Sequence, residues 1–286
     1  MLPLEIIDHI FSFLQSDRST LEKCSKAHPI LSELVPKHLY ANIIIRVPDV
    51  SRLSELASDN LIANYVCNLQ IVLVWSLHES SGRRLLDQEK IASMLPKFRM
   101  LKRIALHVGD DPPTEWPLLH ERFREGFTQC LRLPSMIEVS ILGVSEFPLT
   151  TFRNCTSIKR LALGGEFDFD DPSSDSSSSL VTYPQIKSLT LYDCQGSSSA
   201  IVSWAKTYSP HSLRLSLPSN FGLLQSLVPI YSHTLVSLEV DLGGACMSIP
   251  LHDDFSISCS FASFLRPIKI WFAFTLPNSL LSLAQG

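Results

Sequence analysis

A short hydrophobic pattern recurs along most of this chain and limits the folds it can adopt. Apolar residues occupy positions i, i+3 and i+5, and alternation over the last three positions is typical of a β-strand that buries one face. Successive frames mostly lie roughly 22 to 35 residues apart, which is close to the period of known repeat proteins. The seven frames are Val66-Leu69-Ile71, Leu101-Ile104-Leu106, Met136-Val139-Ile141, Ile158-Leu161-Leu163, Ile186-Leu189-Leu191, Leu235-Leu238-Val240 and Leu265-Ile268-Ile270.

The stretches between the frames are long enough to be crossover connections. Residues 52–65, 85–95 and 221–230 carry apolar residues at helical spacing, and we expect these residues, Leu86 among them, to face the core. Residues 212–217 alternate strictly but lack the first apolar anchor. Parallel strands need a crossover of a dozen or more residues, commonly a helix. We therefore predict an α/β fold with parallel strands.

The first helix of the chain has more apolar surface than its own domain can cover. On a helical wheel its apolar residues sweep an arc of roughly 200°, whereas a surface helix needs roughly 100°. One part of this arc can pack on the chain's own core, and the other part needs a partner. We expect three or four large side chains, such as Ile6, Ile10, Phe11 and Leu14, to be left for that partner.

Two further short helices are predicted after the first one. Asp17 or Ser19 can cap the second helix, whose buried side carries Leu21 and Cys24. His28-Pro29 should end it, because the residue before proline avoids the α region. The third helix is expected over residues 30–40.

These residues resemble an F-box, in the form common among fungal proteins. The matching pattern is Leu2-Pro3-x-Glu5-Ile6-x-x-x-Ile10-Phe11-x-x-Leu14-x-x-Asp17-Arg18-x-x-Leu21-x-x-Cys24. The resemblance covers residues 1–42 and implies binding of the Skp adaptor, which links an F-box protein to a cullin and a RING subunit in an SCF ubiquitin ligase. The positions implied to form or support the adaptor surface are Leu2, Pro3, Glu5, Ile6, Ile10, Phe11, Leu14 and Leu21. The chain departs from the family pattern at His28-Pro29, and the alternative is an ordinary helical hairpin within one larger core.

The rest of the chain, residues 43–286, resembles the degenerate leucine-rich repeats that often follow an F-box. The segment from Ile186 to Cys194 completes the full repeat form, whereas other repeats carry Gly109, Val144, Glu166 or Gly243 at the last position. The resemblance implies a solenoid with a parallel sheet, and the alternative is an α/β domain without solenoid geometry. In a solenoid the residues between the last two anchors would face a target protein. These residues are Gln70, Ala105, Ser140, Ala162, Thr190, Glu239 and Lys269.

One acidic, serine-rich segment stands apart from the repeats. Residues 166–179 contain acidic residues and no basic residue. Such a composition buries too little apolar surface to become ordered, so we expect a mobile insertion. The alternative is an acidic or phosphorylatable contact loop.

Composition and motifs exclude several classes of function. A net charge of −4 gives no basic surface typical of nucleic-acid binding, and the basic run at residues 97–103 is expected to be solvated. The apolar stretch at residues 261–283 is interrupted by charges and prolines, and Glu5 and Asp8 lie where a signal peptide would be positive. We therefore expect no membrane span and a cytoplasmic or nuclear location. The seven cysteines show no CxxC spacing, so reduced thiols are expected and a metal site is not.

No catalytic motif is present, and we predict no enzymatic activity and no cofactor. The acid–histidine groups at residues 78–79, 107–111 and 252–254 are expected to be surface polar clusters. A hydrolase or transferase with scattered catalytic residues is the alternative that sequence leaves open. Taken with the resemblances, the predicted function is a substrate receptor of an SCF-type ligase. A scaffold that binds the adaptor outside any ligase is the second possibility.

Overall fold

The structure is a computed structural model, and it describes residues 2–15, 17–50, 60–74, 81–109, 114–168, 183–195, 198–216, 221–241 and 269–273. These residues form an α/β fold, as predicted, with eight α-helices and mainly parallel strands. The chain divides into two compact units, Met1–Ser140 and Ile141–Gly286. This division does not fall near residue 42, so the boundary expected from the F-box resemblance stays a prediction.

The first unit begins with three helices, and strands alternate with helices after them. Its elements are α1 (Leu4–Phe13), α2 (Arg18–Ala27), α3 (Pro29–Leu39), β1 (Asn42–Arg46), α4 (Asn60–Tyr65), β2 (Asn68–Leu73), α5 (Ser81–Met94), β3 (Arg103–Val108), β4 (Thr114–Glu115), α6 (Glu121–Leu131) and β5 (Glu138–Leu142), the last of which crosses the division. Strands β1, β2 and β3 are parallel, with Ile44 opposite Gln70 and Gln70 opposite Ala105.

The three N-terminal helices begin and end where local chemistry requires. Asp17 caps α2 by accepting a hydrogen bond from the Thr20 N–H at 3.0 Å, as the sequence predicts. His28 is extended before Pro29, which starts α3 at its first position. The small core between the helices consists of Phe11, Leu21 and Val35, against which half-buried apolar side chains pack.

The second unit continues the pattern of parallel strands. Its elements are β6 (Val144–Ser145), β7 (Phe147–Pro148), β8 (Arg160–Asp168), β9 (Ser188–Gln195), α7 (Ser198–Ala205), β10 (Ser212–Ser216), α8 (Phe221–Tyr231), β11 (Ser237–Asp241) and β12 (Lys269–Ala273). Strands β8 to β12 pair in chain order, all parallel. Gly165 has a φ of 126°, and a Cβ there would lie 2.8 Å from the Val144 carbonyl oxygen, so the close approach of β6 to β8 requires glycine.

One hydrogen-bond arrangement recurs where the strands begin. The carbonyl of the residue just before a strand accepts hydrogen bonds from two consecutive N–H groups at the start of the next strand of the sheet, at 2.7 to 3.0 Å. Among the described residues the accepting carbonyls belong to Ala41, Cys67, Lys102, Lys159, Lys187 and His211. Equivalent residues of neighbouring strands are therefore held in register.

The hydrophobic frames form the core as predicted. Every apolar anchor of the first six frames is buried, with at most 5% of its surface exposed. Residues 212–217 gave an incomplete frame because Pro210, which is buried, occupies the place of the missing anchor. The strand β10 nevertheless buries Leu213 and Leu215.

Three sequence expectations need correction. Leu86 does not face the core, because 59% of its surface is exposed on α5. Residues 166–168 are not part of an insertion, since β8 continues to Asp168; the rest of the predicted insertion lies outside the described residues. In the last frame the register is shifted by one anchor: Glu239 lies opposite Trp271, whereas Lys269 lies opposite Ser237.

Candidate functional site

Helix α1 carries two adjacent apolar strips with different environments. At about 100° per residue, Ile7, Phe11 and Leu14 fall within about 60° of one another and pack on the helical core. The second strip consists of Ile6, Ile10 and Phe13, which span about 60° of the wheel, together with Leu2, which precedes the helix. The side chains of Leu2, Ile6, Ile10 and Phe13 are 61%, 47%, 45% and 73% exposed, respectively. We call these four residues the α1 strip.

The residues implied to bind the adaptor therefore fall into two groups. Leu2, Pro3, Glu5, Ile6 and Ile10 are exposed on α1 or immediately before it. Phe11 and Leu21 are buried between the helices, at 4% and 0% exposure, and Leu14 is half-buried against them. The expectation that Phe11 and Leu14 would be left for a partner is wrong, because they belong to the strip that closes the chain's own core.

Sequence reasoning missed Phe13, the most exposed residue of the α1 strip. Its ring contacts His9 edge-on, with 4.9 Å between the ring centroids. The signal was present in the sequence, because Phe13 lies beside Ile6 on the wheel whereas Phe11 lies on the far side of the arc. Treating the apolar arc as one surface hid this distinction.

A network of polar side chains holds α1 in place against α3 and the first strands. The Asp8 carboxylate accepts hydrogen bonds from Lys37 Nζ and from His38 Nε2, both at 2.6 Å. These two contacts lower the pKa of Asp8, chiefly through the hydrogen bond from Lys37. Because His38 is buried and α1 also contacts it edge-on through Phe11, the orientation of the α1 strip is fixed from its inner side.

The network continues from His38 to the sheet through three amide side chains. Gln15 Nε2 lies 3.4 Å from His38 Nδ1, and Gln15 Oε1 accepts a hydrogen bond from Asn42 Nδ2 at 3.3 Å. Asn68 Nδ2 in turn donates to Asn42 Oδ1. The polar chain therefore runs from α1 to β1 and β2 within the first unit.

Within each unit, most of the residues predicted to meet a target lie half-buried on the sheet strands. In the first unit Gln70 and Ala105 are neighbours, and Gln70 Nε2 lies 3.0 Å from His107 Nδ1, whose pKa is lowered by burial. Ser140 is half-buried on β5. In the second unit Ala162, Thr190 and Glu239 share one row across β8 to β11. Lys269 lies outside that row, and the position predicted for it belongs to Trp271.

Arg214 completes the row in the second unit and was missed from sequence. It lies between Thr190 and Glu239, with its Nε 3.5 Å from Glu239 Oε1 and its guanidinium 5.8 Å from the centre of the Tyr192 ring. Arginine and tyrosine are enriched at energetically important positions of protein interfaces. Arg214 and Tyr192 are surrounded by small side chains, namely Ala162, Ser188, Thr190 and Ser212.

Within the described residues the structure contains no group of three or more His, Cys, Asp or Glu side chains that could hold a metal ion. The five cysteines there are free thiols, and burial raises the pKa of Cys130 to about 12. Residues 78–79, 110–111 and 252–254, which supply the acid–histidine groups noted in the sequence, lie outside the described residues. No helix in the described part of the chain is both long and apolar enough to cross a membrane.

Comparison with known proteins returned no match: no protein-family model, no curated protein and no solved structure is significantly similar to this chain.

Proposed function

We propose that this chain is the substrate receptor of an SCF-type ubiquitin ligase. The α1 strip binds the Skp adaptor, which connects the chain to a cullin and a RING subunit. The exposed sheet face binds a target protein, in the cytoplasm, the nucleus or both. The chain itself performs no catalysis and needs no metal or cofactor, because holding a target close to the ubiquitin carrier raises its effective concentration.

The observation that carries this proposal is the α1 strip. Ile6, Ile10 and Phe13 are exposed on one face of a short helix, and Leu2 is exposed just before it. Burying each of them would contribute roughly 1.5–3 kcal/mol, and contiguous exposed apolar surface commonly marks a protein interface. The strip also contains Leu2, Ile6 and Ile10, which match the apolar positions of the F-box pattern.

The recurring hydrogen bonds at the strand starts support the second half of the proposal. Repeat proteins stack equivalent units so that each contacts only its neighbours, and this produces an extended binding surface. Equivalent residues held in register on successive strands are what a leucine-rich-repeat-like solenoid requires. The half-buried row through Ala162, Thr190, Arg214 and Glu239 is the part of that surface that carries the Arg214–Glu239 ion pair.

The test is co-purification of the full chain with a Skp adaptor and a cullin. Ile10→Asp places a charge in the middle of the α1 strip and should weaken adaptor binding by about 30-fold or more, since burying an unpaired charge costs several kcal/mol. Met100→Asp is the matched control, because Met100 is exposed to a similar degree (49%) but is not part of α1. Leu14→Lys is less informative, since Leu14 also packs on the helical core.

Equal binding by Ile10→Asp and the parent chain would sink the F-box assignment and favour an ordinary helical hairpin. The cullin separates the two remaining functions. A complex of chain, adaptor and cullin supports the ligase, whereas a complex of chain and adaptor alone supports a scaffold that acts outside a ligase.

A further inference from the structure

Three basic residues occupy equivalent positions on neighbouring strands of the second unit. Lys159, Lys187 and His211 each lie just before the start of β8, β9 or β10. The Lys159 carbonyl accepts a hydrogen bond from the Lys187 N–H at 2.7 Å, and the Lys187 carbonyl accepts one from the His211 N–H at 2.8 Å. The three residues are therefore in register, with about 4.8 Å between strands. We call them the basic row, and all three are exposed.

The charges of the basic row are not compensated within the described part of the second unit. The ion pair described there joins Arg214 to Glu239, on the sheet face. Neither lysine of the row pairs with a described carboxylate. The acidic residues of β8, β9 and β11, such as Asp168 and Asp241, occur instead towards the opposite ends of the strands. Lys159 and Lys187 therefore place like charges on adjacent strands, where an anionic ligand could contact both.

The neighbouring position on the next strand is apolar rather than charged. The His211 carbonyl accepts a hydrogen bond from the Val236 N–H at 2.7 Å, so Val236 follows His211 in the same register. Its side chain is 62% exposed. The edge therefore presents two lysines, a histidine and an exposed apolar side chain at equivalent positions of four neighbouring strands.

We propose that the basic row binds an acidic, extended segment of a partner protein, with an apolar side chain of that segment lying on Val236. The row spans about 10 Å, which matches about three residues of an extended chain. A nucleic acid fits less well, because single strands are bound along longer basic grooves lined with aromatic side chains. The net charge of −4 over the whole chain also opposes a polyanion as large as a nucleic acid. This contact is separate from the α1 strip, so it stands or falls independently of adaptor binding.

The test measures binding of a fluorescent peptide, six glutamates followed by leucine, to the full chain by fluorescence anisotropy at low salt. Lys159→Gln/Lys187→Gln should weaken binding by about five- to ten-fold, since exposed charge pairs are individually weak. The matched control is Lys97→Gln/Lys206→Gln, which removes the same charge from two exposed lysines outside the row. This control should bind the peptide within about two-fold of the parent chain. Val236→Ser should weaken binding of the peptide that ends in leucine but not binding of six glutamates alone.

Several results would overturn the proposal. Equal losses in the two double variants would mean that the peptide senses overall charge rather than the row. Unchanged binding by the row variant, or equal binding of a peptide with glutamine in place of glutamate, would remove the row as a site. Tighter binding of a single-stranded oligonucleotide of equal charge would assign the row to nucleic acid instead. Circular dichroism of each variant establishes that it is folded.

Discussion

His38 is a buried imidazole whose two ring nitrogens both face polar side chains. Because Asn42 donates to the carbonyl oxygen of the Gln15 amide, the amide nitrogen of Gln15 faces His38 Nδ1. Nδ1 then accepts, and Nε2 carries the proton that is donated to Asp8. The amide network therefore assigns the tautomer of His38 in which Nε2 faces the Asp8 carboxylate as a donor.

Acidification should remove the contribution of Asp8 to stability. Its pKa is lower in the folded chain than the unfolded value of about 3.9, so its stabilising effect is full above that value and is lost as the pH falls through the folded pKa. The expected result is that Asp8→Asn lowers the free energy of unfolding at pH 7, and that this difference between the two chains shrinks as the pH falls towards 3. Urea denaturation of both chains between pH 7 and pH 3 measures this. A stability difference that does not change with pH would contradict it.

At the scale of one element, α1 combines a strip that packs on the helical core with the exposed α1 strip, for which we propose a docking role. Phe11 and Phe13 are two residues apart and lie on opposite sides of the apolar arc, at 4% and 73% exposure. Substituting them separates the two roles with the same chemical change.

Phe11→Ala should destabilise the helical core by about 3–5 kcal/mol, because it removes a buried ring. Phe13→Ala should change stability by no more than about 0.5 kcal/mol but weaken adaptor binding by about ten-fold or more. Thermal denaturation and adaptor titration measure the two effects. If Phe13→Ala destabilises the chain as much as Phe11→Ala, the α1 strip is covered from within and is not a docking surface.

The elements also indicate how far sequence reasoning reaches. The strand frames were predictable because strands with one buried face leave a period of two in the sequence, and the anchors of six frames are buried. The row residue Arg214 was missed because Pro210, which was not counted as apolar, fills an anchor position. The last frame was placed one anchor too early, at Leu265, Ile268 and Ile270, because the frame that pairs with β11 begins in sequence with Pro267, which was likewise not counted as apolar. Hydrophobic periodicity predicts that a strand is present, but the register of that strand is fixed only by its pairing with the neighbouring strand.

The candidate site was predictable only in part, for a related reason. Motif positions predict that α1 is a docking helix, yet the motif contains residues of both strips. Only packing shows that Phe11 and Leu21 close the core while Ile6 and Ile10 remain outside it. The polar network around His38 left no sequence signal, because its members are spread from residue 8 to residue 68.

For the whole molecule, the α1 strip and a low net charge together predict poor solubility in isolation. A net charge of −4 is small for a chain of this length, and exposed apolar strips on different copies can associate. Co-expression with the adaptor should raise the soluble yield, and so should Ile6→Glu/Ile10→Glu without the adaptor. Size-exclusion chromatography of the chain alone, the variant and the complex measures the effect. A monomeric, soluble parent chain would show that the α1 strip does not need a partner.

Substitutions suit this experiment better than deletion of residues 1–42. Gln15 and His38 are hydrogen-bonded, through Asn42, to the first strands of the same compact unit. Removing residues 1–42 would also take Asn42 out of β1 and leave the Asn68 amide without the oxygen it donates to. A deletion variant could therefore aggregate for a reason unrelated to docking.

The cysteine thiols can be used to measure local opening of the chain. Cys130 lies in the core of the first unit and Cys155 and Cys194 lie in that of the second, whereas Cys24 and Cys67 are only half-buried. A buried, protonated thiol reacts with an alkylating reagent only when its surroundings open, so its labelling rate reports the free energy of that opening. Mass spectrometry of each cysteine-containing peptide would then measure the labelling rates in the two units separately in one sample. Adaptor binding at α1 should lower the labelling rate of Cys24 and leave the labelling rate of Cys194 unchanged.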